Sequence, residues 1–186
     1  MKVVFLDRDG VINRYPGDSD YVKSWSEFKF LPEVKSSLKR LNDRGFKIFI
    51  ISNQAGVSKG IYSQETLDLI TQNMLKELNG SEIDIAGVYY CTHREADDCS
   101  CRKPKTGLID MAVAKLKNAG LEPELNQSYF IGDTIQDMET GRAAGLKTVL
   151  LFSGKEKADN KDKWAILSDY TAEDISRAVD LVLNLL

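Results

Sequence analysis

This sequence has no long apolar run and no excess of basic residues, and it contains only one histidine. The longest apolar runs, such as Ile48–Ile51 and Val149–Phe152, are far too short to cross a bilayer. The first residues include no long apolar region before a small-residue cleavage site, so we expect a cytoplasmic protein without membrane association. The net charge of −3 argues against a general nucleic-acid binder and favours action on small molecules.

Cysteine is also scarce, and it is confined to one segment together with the histidine. The one histidine and the three cysteines all lie within residues 91–101, in the sequence CTHREADDCSC. An odd number of cysteines without a secretory signal argues against a disulfide framework. Two closely spaced pairs of soft ligands predict a structural zinc site formed by Cys91, His93, Cys99 and Cys101. Because this site would use the one histidine, acid–base catalysis would fall to a carboxylate, Lys, Tyr or Cys.

Buried-strand and amphipathic-helix patterns alternate along the chain. This alternation predicts βαβ units with a parallel central sheet and helices on both faces, and 186 residues suit a single α/β domain over residues 1–186. The predicted strands are Val3–Leu6, Lys47–Ser52, Gly87–Tyr90, Ser128–Gly132, Lys147–Phe152 and an edge strand at Trp164–Leu167. Helices are predicted at Pro32–Gly45, Ser63–Gly80, Leu108–Gly120 and Asp137–Ala144, and after a capping box at Thr171–Asp174.

Polar residues follow the carboxyl ends of four predicted strands. Parallel sheets of this class bind ligands at that edge, near the point where strand order reverses. The first strand runs into DRDG and the fourth into GD, so both deliver carboxylates to the same rim. The residues expected to converge there are Asp7, Asp9, Ser52, Asn53, Arg102, Lys103 and Asp133.

This set of side chains suits phosphoryl transfer. The carboxylates of Asp7, Asp9 and Asp133, with Asp137 as a candidate fourth, form an oxygen-rich environment suited to Mg²⁺. A hydroxyl, an amide and a lysine opposite them could hold the oxygens of a phosphoryl group. One aspartate could attack phosphorus to form an aspartyl-phosphate, while a second protonates the leaving oxygen and then activates water. The Asp-x-Asp pair by itself would predict only a solvated turn or a helix N-cap.

Four segments resemble, in order, the motifs of the haloacid-dehalogenase-like (HAD) phosphatases: DRDGVIN, ISNQ, CRKP and IGDTIQDM. The resemblance covers essentially the whole chain and implies a HAD-like Rossmannoid three-layer αβα sandwich. It implies that Asp7 is the nucleophile and Asp9 the general acid/base. It also implies Mg²⁺ held by the Asp7 side chain, the Asp9 backbone carbonyl and Asp133. Ser52 and Lys103 would bind the transferring phosphoryl group.

Within that superfamily, the zinc segment limits the resemblance to two families of phosphatases. The pattern C-x-H…C-x-C-R-K-P is similar to the D-glycero-D-manno-heptose-1,7-bisphosphate phosphatases and to the histidinol-phosphate phosphatases. SNQAGVSKGIYSQETL, TVLLFSGK and WAILSDYTAEDI resemble the heptose enzymes of carbohydrate metabolism, which implies conversion of heptose 1,7-bisphosphate to heptose 1-phosphate. Only five residues separate His93 from Cys99, which resembles the histidinol-phosphate enzymes and keeps histidinol phosphate as the alternative substrate.

The resemblance also implies which residues contact the substrate. The loop Gly17–Tyr21 follows the first motif, and the second motif supplies an amide pair. A guanidinium from the CRKP segment would recognise the distal, second phosphate, because its fork matches phosphate oxygens. Lys105 is a second choice for the phosphoryl-binding lysine. The implied substrate-binding residues are Asp18, Tyr21, Asn53, Gln54 and Arg102.

The spacing of the predicted strands leaves no room for a cap domain. Residues 13–47 and residues 54–87 can each hold a loop and one helix. We therefore expect an open site for a small phosphorylated metabolite, and a monomer by default. Three other functions fit less well. A receiver-type phospho-acceptor needs no zinc segment, a zinc-dependent interaction module seldom needs a whole α/β sheet, and the negative charge disfavours a phosphatase of nucleic-acid ends.

Overall fold

A parallel sheet forms the centre of the protein, whose computed structural model describes residues 1–164 and 166–185. Its strands are β1 (Val3–Leu6), β2 (Lys47–Asn53), β3 (Ile85–Cys91), β4 (Tyr129–Gly132), β5 (Lys147–Leu151) and β6 (Tyr170–Ala172). They are ordered β3-β2-β1-β4-β5-β6, and every pairing is parallel. The chain runs outward from β1 to β3 and then returns to the other side of β1. Strand order therefore reverses between β1 and β4, where such sheets bind ligands.

Helices cover both faces of the sheet: α1 (Val34–Asp43), α2 (Gln64–Asn79), α3 (Gly107–Asn118), α4 (Ile135–Ala143) and α5 (Ile175–Asn184). One core layer joins α1, α2 and α5 to the sheet through residues such as Leu38 and Ile70, and another joins α3 to Phe49. Helix α4 lies close to β4, because a Cβ at Gly141 would be only 2.9 Å from the Phe130 Cβ. The predicted α/β sandwich is confirmed.

In the described part of the chain, each segment between consecutive strands from β1 to β5 contains one α-helix. A loop and α1 join β1 to β2, and a loop and α2 join β2 to β3. Short 3₁₀ turns occur at Glu95–Asp97, Leu125–Gln127 and Ala158–Lys163. Within the described residues, no helix combines the length and apolar character that a bilayer span requires.

The predicted edge strand at Trp164–Leu167 is wrong. Ala165 lies outside the described residues, but Trp164 and residues 166–167 are not in a strand, and β6 pairs with β5 farther along the chain. The Trp164 ring instead stacks on Phe152 at 6.1 Å, and its indole nitrogen donates to the Glu156 Oε2 at 2.8 Å. These contacts hold the tryptophan against the loop that follows β5.

The predicted capping box at Thr171–Asp174 is also wrong. Thr171 lies in β6, and Asp174 is the N-cap of α5, where its carboxylate accepts from the Arg177 backbone N–H at 2.9 Å. The β6 pairing with Val149–Leu151 draws the threonine into the sheet and leaves the aspartate at the start of the helix.

Replacing the N-cap should therefore destabilise the protein, whereas replacing the threonine should not. We expect Asp174→Ala to lower the free energy of unfolding by about 1 kcal/mol, because the first turn of α5 loses its acceptor. Thr171 is exposed, so Thr171→Ala should change that free energy by less than about 0.5 kcal/mol. Urea unfolding of both variants measures the difference, and a larger loss in Thr171→Ala would contradict the assignment.

Candidate active site

The carboxyl ends of β1, β2 and β4 surround a cavity of about 270 Å³. Asp7 follows β1, and its backbone N–H donates to the Ile131 carbonyl of β4 at 3.1 Å, which fixes it at the point of strand reversal. Ser52 ends β2 on the other side. The predicted residues that line this cavity are Asp7, Asp9, Tyr21, Ser52, Asn53, Arg102, Lys103 and Asp133.

A buried lysine occupies the floor of the cavity. The Lys103 Nζ lies 3.1 Å from the Asp7 Oδ1 and 2.5 Å from the Asp137 Oδ1, and it donates to the Ile51 carbonyl at 3.3 Å. The three charged side chains are 3%, 10% and 0% exposed. The second choice for this lysine, Lys105, instead pairs with exposed Asp98. The geometry therefore favours Lys103 as the cation beside the nucleophile candidate.

Burial and charge shift the pKa values of this cluster in opposite directions. Burial raises the pKa of Asp7 to about 6, with Asp137 and Asp9 adding to the shift and with Lys103 and Ser52 opposing it. Burial alone would lower the pKa of Lys103, but the charges of Asp137 and Asp7 outweigh it and raise that pKa. The lysine therefore stays charged, whereas Asp7 needs further positive charge to be fully ionised near neutral pH.

One oxygen of the Asp133 carboxylate is hydrogen-bonded, and the other has no hydrogen-bond partner in the described residues. Its Oδ2 accepts from the Lys155 backbone N–H at 2.7 Å, while its Oδ1 is buried without a hydrogen-bond partner in the described residues. A Cβ at Gly10 or Gly154 would lie 2.2 Å or 1.9 Å from the Asp133 Oδ2, so both positions must be glycine. Burial, followed by the charges of Asp7 and Asp137, raises the pKa of Asp133 well above its usual range.

Asp137 links this cluster to the start of α4. It forms a capping box with Thr134, whose backbone N–H and hydroxyl contact the Asp137 Oδ2 at 3.0 Å and 2.7 Å. Its other oxygen accepts from Lys103. Both oxygens are thus engaged, so Asp137 orients the lysine, and the free ligand atom of the cluster belongs to Asp133.

The remaining predicted site residues differ in whether they line the cavity, lie beneath it or lie beside it. The Asp9 carboxylate reaches the cavity wall, but its hydrogen bonds go to residues beneath it, including Gln54. Gln54 is fully buried, so its side chain lies under the cavity. Asn53 pairs with the Lys103 backbone, accepting at 3.1 Å and donating at 3.2 Å. Asp18 is exposed beside the cavity, with its Oδ1 3.4 Å from the Lys155 Nζ.

Three residues near this cavity were not predicted from the sequence. Gly154 and Lys155 follow β5, whose carboxyl end reaches the same rim, and Lys155 also lines the cavity. The SGK that follows the fifth predicted strand was the available signal. Arg8 is the other omission, since it stands inside the DRDG motif and is fully buried.

Both predicted metal sites have donor sets that fit the ion. One oxygen each from Asp7, Asp133 and Asp137 lie within 4.8 Å of one another, and the unpartnered Asp133 Oδ1 is a ready ligand for Mg²⁺. At the other site, sulfur–sulfur distances are 3.4 and 3.6 Å, and sulfur–nitrogen distances to the His93 Nδ1 are 3.3 and 3.7 Å. Ligands on a tetrahedral zinc are separated by about 3.3–3.8 Å, so this cluster fits Zn²⁺.

Known proteins resemble this chain along its whole length. The model of the polynucleotide kinase 3 phosphatase family matches residues 2–163. A D-glycero-D-manno-heptose-1,7-bisphosphate 7-phosphatase of Chlorobaculum tepidum is 34% identical over 96% of this chain and 92% of its own. The β-anomer enzyme of that name from Haemophilus ducreyi is 36% identical, covering 98% and 93%. The D,D-heptose 1,7-bisphosphate phosphatase of B. bronchiseptica, solved with magnesium and phosphate, superposes with a TM-score of 0.87 at 25% identity over the full length of both chains.

The raised pKa values predict a pH-dependent response to a divalent cation. Without a cation, Asp7 and Asp133 contribute stability below their unfolded pKa values. This contribution is lost as the pH rises through their raised pKa values, which for Asp7 is about 6. A cation binds the ionised carboxylates. MgCl₂ should therefore raise the melting temperature by roughly 5 °C near pH 7.5, and by clearly less near pH 5.

Matched variants identify the source of this effect. Asp133→Asn should lose most of the MgCl₂ response near pH 7.5, whereas Asp68→Asn, an exposed change on α2, should keep it. Equal responses of the unaltered protein at the two pH values would contradict the linkage to buried carboxylates.

Proposed function

This chain belongs to the D-glycero-manno-heptose-1,7-bisphosphate 7-phosphatases of the HAD superfamily, and we propose that it hydrolyses the C7 phosphate of a heptose 1,7-bisphosphate. The chain also belongs to the broader polynucleotide kinase 3 phosphatase family, whose model matches residues 2–163. The chain is thus a phosphoric monoester hydrolase. We further propose that it forms one domain over residues 1–186, acts as a monomer and is cytoplasmic.

One observation carries the proposed chemistry: the Asp7 Oδ1 lies 3.1 Å from the buried Lys103 Nζ, at the reversal point of the sheet. An ammonium at this distance can bind a phosphoryl oxygen while the carboxylate attacks the phosphorus. Ser52, 2% exposed at the end of β2, adds a hydroxyl on the same rim. The nucleophile and the phosphoryl-binding groups therefore share one small, mostly buried space.

The proposed reaction has two steps. In the first, an Asp7 oxygen attacks phosphorus, the bond to the sugar oxygen breaks, and Asp9 gives its proton to that oxygen. In the second, Asp9 takes a proton from water, which attacks phosphorus and breaks the bond to Asp7, releasing phosphate. Lys103 and Ser52 hold the phosphoryl oxygens in both steps. The side chains of Asp7 and Asp133 and the carbonyl of Asp9 would hold Mg²⁺, which would supply positive charge for the phosphoryl group.

The charges next to the cavity support a substrate with a second phosphate. Arg102 and Lys103 line both the main cavity and an adjoining pocket, in which Lys105 is paired with Asp98 and Glu95 is also present. Arg102 donates one N–H to the His93 carbonyl at 3.3 Å, which ties it to the zinc segment and leaves other donors for a ligand. We propose that the distal phosphate binds here. Asp18 and Tyr21 would contact the sugar from the Gly17–Tyr21 loop.

The substrate proposal predicts a large preference between two phosphates. With MgCl₂, kcat/KM for heptose 1,7-bisphosphate should exceed that for histidinol phosphate by at least about 100-fold, because Arg102 pairs with a phosphate in one and with no anion in the other. Phosphate release from both compounds, from both heptose anomers and from a 3′-phosphorylated oligonucleotide should be compared on one preparation. A preference for histidinol phosphate or the oligonucleotide would overturn the heptose assignment.

The same assay tests whether Asp7 is the nucleophile. Asp7→Asn should lower kcat by about 10³-fold or more, because an amide cannot form the aspartyl-phosphate. Asp68→Asn should retain full activity. Undiminished turnover in Asp7→Asn would contradict the mechanism whatever the substrate is.

We propose that Zn²⁺ at Cys91, His93, Cys99 and Cys101 fixes the segment that carries Arg102 and Lys103. Cys101→Ser should lose bound zinc, measured by elemental analysis, and lower kcat/KM by about 10-fold or more, because these two cations would no longer be held in place. Ser100→Ala, an exposed change in the same segment, should keep both zinc and activity. Full activity in zinc-free Cys101→Ser protein would contradict this role.

A further inference from the structure

The carboxylate of Asp9 is bound from below by three side chains. Its Oδ1 accepts from the Asn13 Nδ2 at 2.8 Å and from the Arg8 Nε at 3.2 Å. Its Oδ2 accepts from the Gln54 Nε2 at 2.8 Å and from an Arg8 NH2 group at 3.1 Å. The Asp9 side chain remains 17% exposed and lines the cavity. Both oxygens are therefore oriented while the carboxyl group stays accessible to a bound ligand.

Arg8 is an unusual part of this support. Its guanidinium is fully buried, although it follows a strand end, and it lies 5.5 Å from the centre of the Tyr90 ring. Its NH2 group donates to Asp9 and to the Gln54 Oε1 at 3.0 Å. A buried guanidinium is costly unless it is paired, so Arg8 and Asp9 constrain each other's positions.

Gln54 connects Asp9 to Ser52, Arg8 and Tyr62 through one amide. Its Nε2 donates to Asp9 and to the Ser52 Oγ at 3.2 Å, while its Oε1 accepts from Arg8 and from the Tyr62 hydroxyl at 2.7 Å. A flipped amide would set its NH₂ against the Arg8 donor and its carbonyl against the Asp9 carboxylate. Arg8 and Asp9 thus determine the orientation of the amide, and the Tyr62 hydroxyl adds a further hydrogen bond to its oxygen.

The position of Tyr62 is itself fixed by a glycine. A Cβ at Gly56 would lie 2.2 Å from the Tyr62 ring, so only glycine allows the ring to lie over this part of the backbone. Tyr62 is buried and sits outside the residues that line the cavity. It can therefore affect the reaction only indirectly: its ring packs edge-on against Tyr21 with centroids 6.0 Å apart, and its hydroxyl acts through Gln54 and the groups that Gln54 contacts.

We propose that Arg8, Gln54 and Tyr62 are positioning residues that hold the Asp9 carboxyl group where it protonates the leaving oxygen. This role rests on the proposed function of Asp9 as general acid. The shared amide also sets the Ser52 hydroxyl, because the hydrogen bond from Gln54 occupies one acceptor site of that oxygen. Ser52 is then free to donate its own proton toward Asp7 and the phosphoryl group.

A leaving-group comparison separates positioning from general damage to the fold. Alkyl phosphates need a proton on the departing oxygen, whereas p-nitrophenyl phosphate releases a stable anion that needs little help from an acid. Tyr62→Phe keeps the ring over Gly56 and removes only the hydroxyl. It should lower kcat/KM about 3–10-fold for the alkyl phosphate and less than about 2-fold for p-nitrophenyl phosphate.

Gln54→Glu tests the same amide from its other side. The variant keeps an oxygen for Arg8 and Tyr62 but sets a second carboxylate oxygen against Asp9. The differential loss should therefore be larger than in Tyr62→Phe, at about 10–100-fold for the alkyl phosphate. Tyr89→Phe, which removes a hydroxyl from β3 away from the cavity, should leave both substrates unaffected.

The outcomes separate this proposal from the substrate assignment. The alkyl phosphate is whichever of heptose 1,7-bisphosphate and histidinol phosphate the unaltered protein hydrolyses faster, so a wrong sugar leaves the comparison intact. Melting temperatures within about 3 °C of the unaltered protein verify folding of the variants. Equal losses on alkyl and aryl phosphates in both variants, or no loss in either, would overturn the positioning role.

Discussion

A buried ammonium between two buried carboxylates is the interaction on which the site depends. The Lys103 Nζ lies 3.1 Å from the Asp7 Oδ1 and also pairs with Asp137, in a space where none of the three side chains is more than 10% exposed. With Asp133, three carboxylates face one ammonium, so two negative charges remain for a divalent cation to neutralise. The same arrangement sets Lys103, the proposed phosphoryl-binding cation, beside Asp7, the proposed nucleophile. Removing Lys103 would leave both buried carboxylates without their cation, whereas removing either carboxylate would leave the lysine paired with the other.

Much of this arrangement could be predicted from the sequence because it follows from chain topology. Alternating strands and helices require a parallel sheet, and a parallel sheet brings the residues after β1, β2 and β4 to one edge. Asp7, Ser52 and Asp133 are therefore expected together from their places in the chain alone. The proposed zinc segment could also be predicted, because two close pairs of soft ligands within residues 91–101 form the donor set that a tetrahedral zinc prefers.

Other features could not be predicted because they depend on side-chain direction and on contacts between distant segments. The pattern of the ISNQ motif does not reveal that Gln54 turns beneath the cavity, where it meets Arg8 and Tyr62. The SGK after β5 indicates that Gly154 reaches the rim, but it does not reveal the contact with Asp133, because that contact joins the residues that follow two neighbouring strands, β5 and β4. The edge strand was misplaced because β-branched and aromatic residues occur on both sides of position 168, and only pairing with β5 decides between them.

The covalent step at Asp7 is the central claim, and locating the phosphate on the enzyme tests it most directly. In Asp9→Asn protein, p-nitrophenyl phosphate should still transfer its phosphoryl group, while the missing general base slows hydrolysis of the intermediate. After acid quenching, mass spectrometry of peptides from the MgCl₂-activated reaction should find phosphate on Asp7. Phosphate on another residue, or product formation with no phosphorylated enzyme at any time point, would contradict the account.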